Sequence, residues 1–154
     1  MSLEPGDKAP NLQLATDGGG RVSLSDMKGR PFVLYFYPKD DTTGCTKEAI
    51  DFSGSQRKFE RLGVSVIGVS KDSTASHDRF KAKHKLRIVL GSDPDTTTAK
   101  AYGVWIEKSM YGRKYMGMDR ATFLIDEKGV IRQIWRKVKV PGHVEAVLAA
   151  ARDL

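Results

Sequence analysis

An unbroken apolar and aromatic run at residues 32–37 is the feature that most limits how this chain can fold. A run of this length without polar alternation is typical of a strand that is buried on both faces. A polar segment follows at residues 38–48, and residues 46–62 then carry apolar side chains at helical spacing, which are Ala49, Phe52, Phe59 and Leu62. This order predicts a buried strand, a tight loop at its carboxyl end, and a helix.

The rest of the chain alternates between strand and helix patterns. The predicted strands lie at 64–69, 88–90, 122–125 and 130–135, and the predicted helices at 73–85, 97–102 and 144–154. Such alternation predicts a parallel sheet with helices on its faces, and a hairpin joining 122–125 to 130–135 makes the sheet mixed. Residues 12–14 and 21–24 flank a glycine-rich turn and predict an N-terminal β-hairpin. The expected fold class is therefore α/β, with one domain at 1–154.

Size and composition limit the class of protein. A chain of 154 residues and 17.1 kDa can bury a core without disulfides or a metal. The sequence has no apolar stretch long enough to cross a membrane, and its first residues lack the layout of a secretory signal. We therefore expect a cytoplasmic protein without a membrane partner. The single cysteine excludes an internal disulfide, which fits a reducing compartment.

The net charge of +7 requires nucleic-acid binding to be considered. The lysines and arginines are interrupted by apolar positions, however, as on the solvated faces of helices and strands. No zinc-finger spacing, helix-turn-helix pattern or aromatic RNA-binding signature accompanies them. We expect no nucleic-acid partner.

Cys45 is the only cysteine, and it follows Thr42, Thr43 and Gly44, which are residue types that start helices. Its sulfur should lie in the first turn of a helix, where unpaired N–H groups favour a thiolate. A lone cysteine is more often a buried small hydrophobe, but this one stands in a polar loop. Ionisation alone is a weak catalyst, so a reactive Cys45 also needs polar groups aimed at the reacting bond. The Thr42 hydroxyl is the nearest candidate.

The spacing Pro-x-x-x-Thr-x-x-Cys of Pro38, Thr42 and Cys45 resembles the active-site signature of the peroxiredoxins. The resemblance extends over nearly the whole chain. It includes Pro5-Gly-Asp-Lys-Ala-Pro10, Tyr35-Phe-Tyr-Pro-Lys-Asp-Asp41, Tyr102-Gly-Val-Trp105, Tyr115-Met-Gly117 and Arg120-Ala-Thr-Phe-Leu-Ile-Asp126. Together these segments look most like the peroxiredoxin Q branch, also called bacterioferritin comigratory protein.

The resemblance implies a thioredoxin-like fold with a mixed central sheet flanked by helices. It also implies that the Cys45 thiolate attacks the O–O bond of hydrogen peroxide or an organic hydroperoxide, giving a sulfenic acid and water or an alcohol. The threonine matched by Thr42 hydrogen-bonds peroxide and thiolate in this family, and the arginine matched by Arg120 orients peroxide. No cofactor and no metal is expected.

Three further residues are predicted to support this site: Pro38, Gly44 and Glu48. Pro38 could wall the cysteine from water, although a proline ending a strand needs no such role. Glu48 matches a family glutamate, but it could equally be a first-turn acid that suits the helix dipole. We expect Tyr102 and Trp105 at a pocket rim or in the core. The three histidines, which are His77, His84 and His143, are expected on the surface.

Two positions depart from the family pattern. Thr43 replaces the usual proline, and Ile50 stands where many members have a second, resolving cysteine. Since no second cysteine exists, the sulfenic acid must be reduced by an outside thiol, which could be thioredoxin, glutaredoxin, glutathione or Cys45 of another copy. This one-cysteine cycle leaves the sulfur open to overoxidation to the sulfinic acid. We expect a monomer or a transient dimer.

The alternative function is a thioredoxin-fold binding or redox-sensing protein without peroxidase turnover. A thioredoxin-type disulfide reductase would need Cys-x-x-Cys, which the sequence lacks.

Overall fold

A computed structural model describes residues 2–154, so Met1 of the predicted domain lies outside the described part. The strands are β1 (Gln13–Thr16), β2 (Arg21–Ser23), β3 (Phe32–Phe36), β4 (Ser65–Ser70), β5 (Val89–Ser92), β6 (Trp105–Met110), β7 (Arg113–Met118), β8 (Ala121–Ile125) and β9 (Ile131–Trp135). The helices are α1 (Thr43–Gly54), α2 (Gln56–Arg61), α3 (Thr74–His84), α4 (Thr97–Ala101) and α5 (His143–Arg152). Short 3-10 turns lie at Asp17–Gly19 and Ser25–Met27.

The main sheet has the strand order β2-β1-β5-β4-β3-β8-β9. Strands β3, β4 and β5 run parallel, whereas β8, β9, β1 and β2 join by antiparallel pairing. The predicted mixed sheet is confirmed, as are the hairpins β1–β2 and β8–β9. β3 lies between β4 and β8 near the middle of this sheet, which is why its sequence is apolar throughout.

Successive side chains of β3 enter two separate cores, because side chains alternate between the faces of a strand. Val33, Tyr35 and Tyr37 belong to one buried cluster, which includes residues of α1, α2, α3 and α5. Phe32, Leu34 and Phe36 belong to the other, together with residues of α4 and β8. Both faces of the strand are therefore covered, and the loop that follows it starts from a rigid base.

Tyr35 connects the sheet to the helix that carries Cys45. Its ring stacks on Phe52 of α1 with centroids 4.5 Å apart. On the neighbouring strand its partner in register is Gly68, and a Cβ atom built there would lie 2.7 Å from the ring. Gly68 thus leaves the space that the Tyr35 ring occupies. The absence of a side chain at residue 68 therefore permits the packing of Tyr35 on Phe52 of α1.

Strands β6 and β7 form a second, two-stranded sheet that the sequence analysis did not predict. They are joined by Tyr111 and Gly112, which both have positive φ values, of 52° and 78°. This is the geometry of a type I′ hairpin turn. Most of its side chains are partly or fully exposed, so the hairpin leaves no alternating apolar pattern in the sequence.

Other expectations need correction. The helix predicted over 46–62 breaks at Ser55 into α1 and α2. His77 and His143 are buried, and His84 is half-buried, so the expected surface location is wrong for the first two.

Tyr102 is in the core as expected, and Trp105 is half-buried with the Lys71 ammonium 5.1 Å from the centre of its ring. Within residues 2–154, none of the helices has the length and apolar character required to cross a membrane.

Candidate active site

The loop after β3 delivers Cys45 to the first turn of α1. Thr42 has the extended backbone of an N-cap residue, and its carbonyl accepts the first helical hydrogen bond, from the Thr46 N–H at 2.8 Å. Cys45 is the third residue of the helix and is 1% exposed. The predicted helix start is confirmed. The thiol lies at the end of the helix where backbone N–H groups favour a negative charge.

Arg120 reaches this sulfur from the start of β8, the strand next to β3. Antiparallel pairing of Phe36 with Ala121 places the residue before β8 next to the carboxyl end of β3. The Arg120 guanidinium Nη2 lies 3.4 Å from Cys45 Sγ, within hydrogen-bonding distance for sulfur. The sequence placed Arg120 before a strand and left its reach open, and the structure brings the two residues together.

Glu48 holds the other arm of the guanidinium. Arg120 Nη1 donates to Glu48 Oε1 over 2.8 Å, and the Glu48 side chain is fully buried. Glu48 lies in the second turn of α1 rather than the first, so it is not a solvated acid at the helix dipole. Burial raises the pKa of Glu48 to about 7, even though Arg120 favours the carboxylate. The two contacts fix the planar fork of Arg120 against the sulfur.

Gly44 gives the guanidinium its space. A Cβ atom at residue 44 would lie 3.1 Å from Arg120 Nη2, closer than a relaxed contact allows. The backbone of Gly44 has no unusual φ value that would itself require glycine. The absence of a side chain therefore serves the approach of Arg120 to Cys45, which supports the predicted role of Gly44 beside the cysteine.

Two buried polar atoms near the site have no partner among the described residues: Glu48 Oε2 and the Tyr35 hydroxyl. Burial raises the pKa of Tyr35 well above its ordinary value, and the neighbouring Glu48 and Cys45 add to the shift. Tyr35 is therefore a neutral phenol with a free donor. Unpaired buried groups of this kind are costly and uncommon in a folded core.

The other two predicted residues lie at the surface of the loop. The Thr42 side chain is exposed, and its hydroxyl donates to the Lys39 carbonyl at 2.8 Å rather than to the sulfur. A hydroxyl that donates in one direction keeps lone pairs for another donor. Pro38 is exposed directly after Tyr37. The structure thus brings Cys45, Arg120, Gly44 and Glu48 into contact and leaves Thr42 and Pro38 at the rim.

The sequence analysis missed His143, which lies behind Arg120. The Thr122 hydroxyl and His143 Nε2 are 2.7 Å apart in a buried hydrogen bond. Burial, and after it the charge of Arg120, lower the pKa of His143 to about 4, so its ring is neutral beside the guanidinium. Its position four residues before the buried Val147 was a signal for burial, because residues at this spacing share a helix face.

The chain is similar to proteins of a known family. Residues 5–134 match the AhpC/TSA family. A putative peroxiredoxin bcp of Coxiella burnetii is 52% identical over 96% of this chain and 98% of its own length. The peroxiredoxin Bcp of Bacillus subtilis is 49% identical over 100% of this chain and 98% of its own.

A solved structure of the bacterioferritin comigratory protein of Xanthomonas campestris is also similar. It has a TM-score of 0.89 and 44% sequence identity over 92% of this chain and 90% of the other. The predicted thioredoxin-like fold is confirmed. The chain belongs to the AhpC/TSA family and, within it, to the peroxiredoxins of the Bcp or peroxiredoxin Q group.

Proposed function

We propose that this thiol peroxidase reduces hydrogen peroxide and organic hydroperoxides with the sulfur of Cys45. The thiolate attacks one oxygen of the peroxide, the S–O bond forms, and the O–O bond breaks with its electron pair going to the second oxygen. That oxygen takes a proton and leaves as water or an alcohol, while the sulfur becomes a sulfenic acid. The observation that carries the proposal is the 3.4 Å contact between Cys45 Sγ and Arg120 Nη2.

Arg120 has two roles in this reaction. Its permanent charge stabilises the thiolate before attack and the negative charge that develops on the departing oxygen. Glu48 holds the opposite arm of the guanidinium at 2.8 Å, so Arg120 keeps its orientation when the peroxide enters. Thr42 receives the peroxide at the rim: its hydroxyl donates to Lys39 and can accept from the peroxide O–H. Pro38 borders the same opening.

The relatives support the substrate class. A structural study of the Xanthomonas campestris bacterioferritin comigratory protein concerns its alkyl peroxide reduction activity. Peroxidase turnover of this kind needs a peroxide and a thiol reductant. Because Cys45 is the only cysteine, the thiol must come from outside the chain. We propose thioredoxin, glutaredoxin or glutathione as the reductant. We further propose that the enzyme is a monomer or a transient dimer and that it acts in the cytoplasm.

The first experiment identifies the product at Cys45. One equivalent of hydrogen peroxide is added to the reduced protein, and its intact mass is measured with and without dimedone, a reagent that traps sulfenic acids. We expect one dimedone adduct per chain, on Cys45, and no adduct in Cys45→Ser. An unmodified Cys45 after peroxide addition would contradict the proposal.

The second experiment separates turnover from the alternative, a redox sensor that is oxidised once. NADPH consumption is followed with thioredoxin and its reductase, with glutathione and glutaredoxin, and with each system lacking the protein. A peroxidase consumes many equivalents of peroxide per chain with at least one system, and Cys45→Ser consumes none. A single equivalent with every reductant would favour the sensor.

Excess peroxide without reductant should add two oxygens to Cys45, because no resolving cysteine protects it.

A further inference from the structure

The segment between β3 and α1 has to combine two properties. It must hold Cys45 against Arg120 during peroxide attack, and it must let an external thiol reach a sulfur whose residue is only 1% exposed. The polar links between this segment and the rest of the fold therefore control both steps. The strongest of these links starts at Asp40, five residues before the cysteine.

Asp40 is a buried carboxylate with three side-chain donors. The Tyr37 hydroxyl donates to Asp40 Oδ1 at 2.6 Å, and the Ser76 hydroxyl donates to Oδ2 at 2.9 Å. The third partner is His77 of α3, whose Nδ1 lies 2.7 Å from Asp40 Oδ2. The backbone N–H of Asp40 donates to the Asp72 carboxylate at 2.8 Å. The loop is thus fastened to α3 and to the end of β4.

His77 is fully buried and faces an acceptor at each ring nitrogen. Nδ1 meets the Asp40 carboxylate, and Nε2 lies 2.9 Å from the Gly91 carbonyl oxygen of β5. A carbonyl oxygen cannot donate, and the Tyr37 and Ser76 hydroxyls already donate to the two oxygens of Asp40. With Asp40 as a carboxylate, both contacts of His77 are hydrogen bonds only when both ring nitrogens carry a proton. Burial lowers the pKa of His77, but Asp40, the Gly91 carbonyl and Asp72 outweigh it and hold that pKa above its ordinary value.

The remaining charged groups at this loop are at its surface. Asp41 pairs with Lys83 Nζ at 2.6 Å and with His84 Nε2 at 2.8 Å, and its side chain is 42% exposed. These contacts are made in water and contribute little to holding the loop. The buried pair of Asp40 and His77 is the charged link that solvent does not weaken.

We propose that His77, as an imidazolium, is a positioning residue for the peroxidase reaction. Through Asp40 it holds the segment between β3 and α1 in the conformation that places the Cys45 sulfur beside Arg120. The inference rests on the proposed function. When His77 loses one proton, the other stays on Nδ1 beside the carboxylate, so the hydrogen bond of Nε2 to the Gly91 carbonyl and the charge attraction between the ring and Asp40 are both lost. The segment before α1 is then held less tightly to α3 and β5, Cys45 becomes more accessible to an external thiol, and its alignment with Arg120 is weakened.

The sign of the pH dependence follows from the raised pKa of His77. The folded protein holds this proton more tightly than the unfolded chain. The contribution of the pair to stability is therefore complete below the ordinary histidine pKa and is lost as the pH rises through the higher pKa of the folded state.

A direct test needs no substitution. Nitrogen-15 NMR of the histidine side chains distinguishes an imidazolium from either neutral tautomer, and His77→Gln assigns the signal. We expect both His77 nitrogens to be protonated at pH 7 and to titrate above the ordinary histidine pKa. A neutral His77 ring at pH 7 would overturn the proposal.

Hydrogen exchange then measures the loop itself. Protection of the amides in residues 39–46, which are the loop and the first turn of α1, is compared between pH 6 and pH 10 after correction for the intrinsic exchange rate, with the amides of β3 as the reference for global opening. We expect protection of the loop to fall as pH rises while β3 changes little. At pH 6, His77→Gln should lower loop protection about tenfold, as for the loss of one charge-assisted hydrogen bond, and the pH dependence of protection should be much smaller than in the parent.

The matched control is His84→Gln, which changes the half-buried histidine of the same helix that pairs with Asp41, the next residue of the loop. It should alter loop protection by less than about twofold. Equal effects of the two substitutions, or a pH dependence as large in His77→Gln as in the parent, would overturn the proposal. Exchange and NMR are measured without peroxide, so they test the link between Asp40 and His77 even if the peroxidase assay fails.

The functional readout uses the same two variants. The rate of sulfenic acid formation should fall about tenfold in His77→Gln, whereas alkylation of Cys45 by iodoacetamide should become faster by a similar factor. His84→Gln should change neither rate beyond about twofold. Parallel loss of both rates in His77→Gln would contradict a positioning role.

Discussion

Two buried charged clusters lie at the carboxyl end of β3, and they differ in how completely their polar atoms are paired. In the Asp40–His77 cluster both carboxylate oxygens and both ring nitrogens have partners. In the Cys45–Arg120–Glu48 cluster, Glu48 Oε2 and the nearby Tyr35 hydroxyl have none among the described residues. A saturated network rigidifies a fold, whereas spare donors and acceptors are available to a reactant. The loop is held by the first cluster and the chemistry is assigned to the second.

Asp40→Ala should give the largest effect, because it leaves an uncompensated imidazolium in the core. We expect a loss of about 3 to 5 kcal/mol in the free energy of unfolding, measured by urea denaturation at pH 6. Asp41→Asn is the matched control, since it removes the charge of the neighbouring carboxylate, which is 42% exposed, and keeps a residue type that tolerates the left-handed backbone of residue 41. Its unfolding curve should stay close to that of the parent. Similar curves for the two variants would remove the distinction between buried and surface pairs.

Arg120→Lys should give the next largest effect, on activity. A lysine keeps the charge but has no fork to bind Cys45 and Glu48 at once, so we expect the rate of Cys45 oxidation by peroxide to fall about 100-fold. Stopped-flow kinetics measures this rate. Arg132→Lys, an exposed arginine paired with Asp126, is the control and should behave as the parent. A rate within about twofold of the parent in Arg120→Lys would refute the role of the fork.

Glu48→Gln tests whether the buried carboxylate of the Cys45–Arg120–Glu48 cluster lowers the stability of the fold. The pKa of Glu48 in the folded state is about 7, above its ordinary value of 4.5, so ionisation of Glu48 destabilises the fold as the pH rises between these values. The amide does not ionise. Relative to the parent, the variant should therefore gain roughly 2 kcal/mol of unfolding free energy between pH 5 and pH 8, while peroxide reduction slows. A stability difference that is the same at both pH values would show that Glu48 does not titrate in this range.

Gly44→Ala should have the smallest effect. The added methyl group meets Arg120 Nη2 at 3.1 Å and displaces the guanidinium by a few tenths of an ångström, so we expect about a fivefold lower rate of Cys45 oxidation. Gly54→Ala is a matched control in the same helix, because a Cβ there meets nothing within 4 Å. Equal rates for the two alanine variants would indicate that Arg120 tolerates the shift.

Much of this architecture is predictable from sequence because the strands are apolar and the helix starts carry polar caps. Strand β3 was found within about one residue, since residues 32–37 are apolar throughout. The helical apolar spacing over 46–62 begins three residues after the observed start of α1, whereas the polar residues Thr42 to Gly44 correctly placed Cys45 in the first turn. The hairpin of β6 and β7 was missed because its side chains are largely exposed and no period-two pattern results. Only Gly112 signals its turn.

The site could be predicted only in part, because its contacts join distant segments. The family pattern supplied Cys45, Arg120 and Glu48, but not the pairing of Arg120 with both. Asp40 and His77 were missed although a signal existed: His77 precedes the buried Phe80 by three residues and shares its helix face. What no pattern in one sequence reveals is that the partner of this histidine is 37 positions away.

The glycine at residue 68 has a consequence for how the sequence can vary. A methyl group there would press on the Tyr35 ring, which in turn rests on Phe52, on the same helix as the reactive sulfur. Residues 35 and 68 therefore share one volume across two strands, and enlargement at the second requires a smaller ring at the first. A change as small as one carbon atom in the middle of the sheet would be felt at the thiol as a shift of its helix.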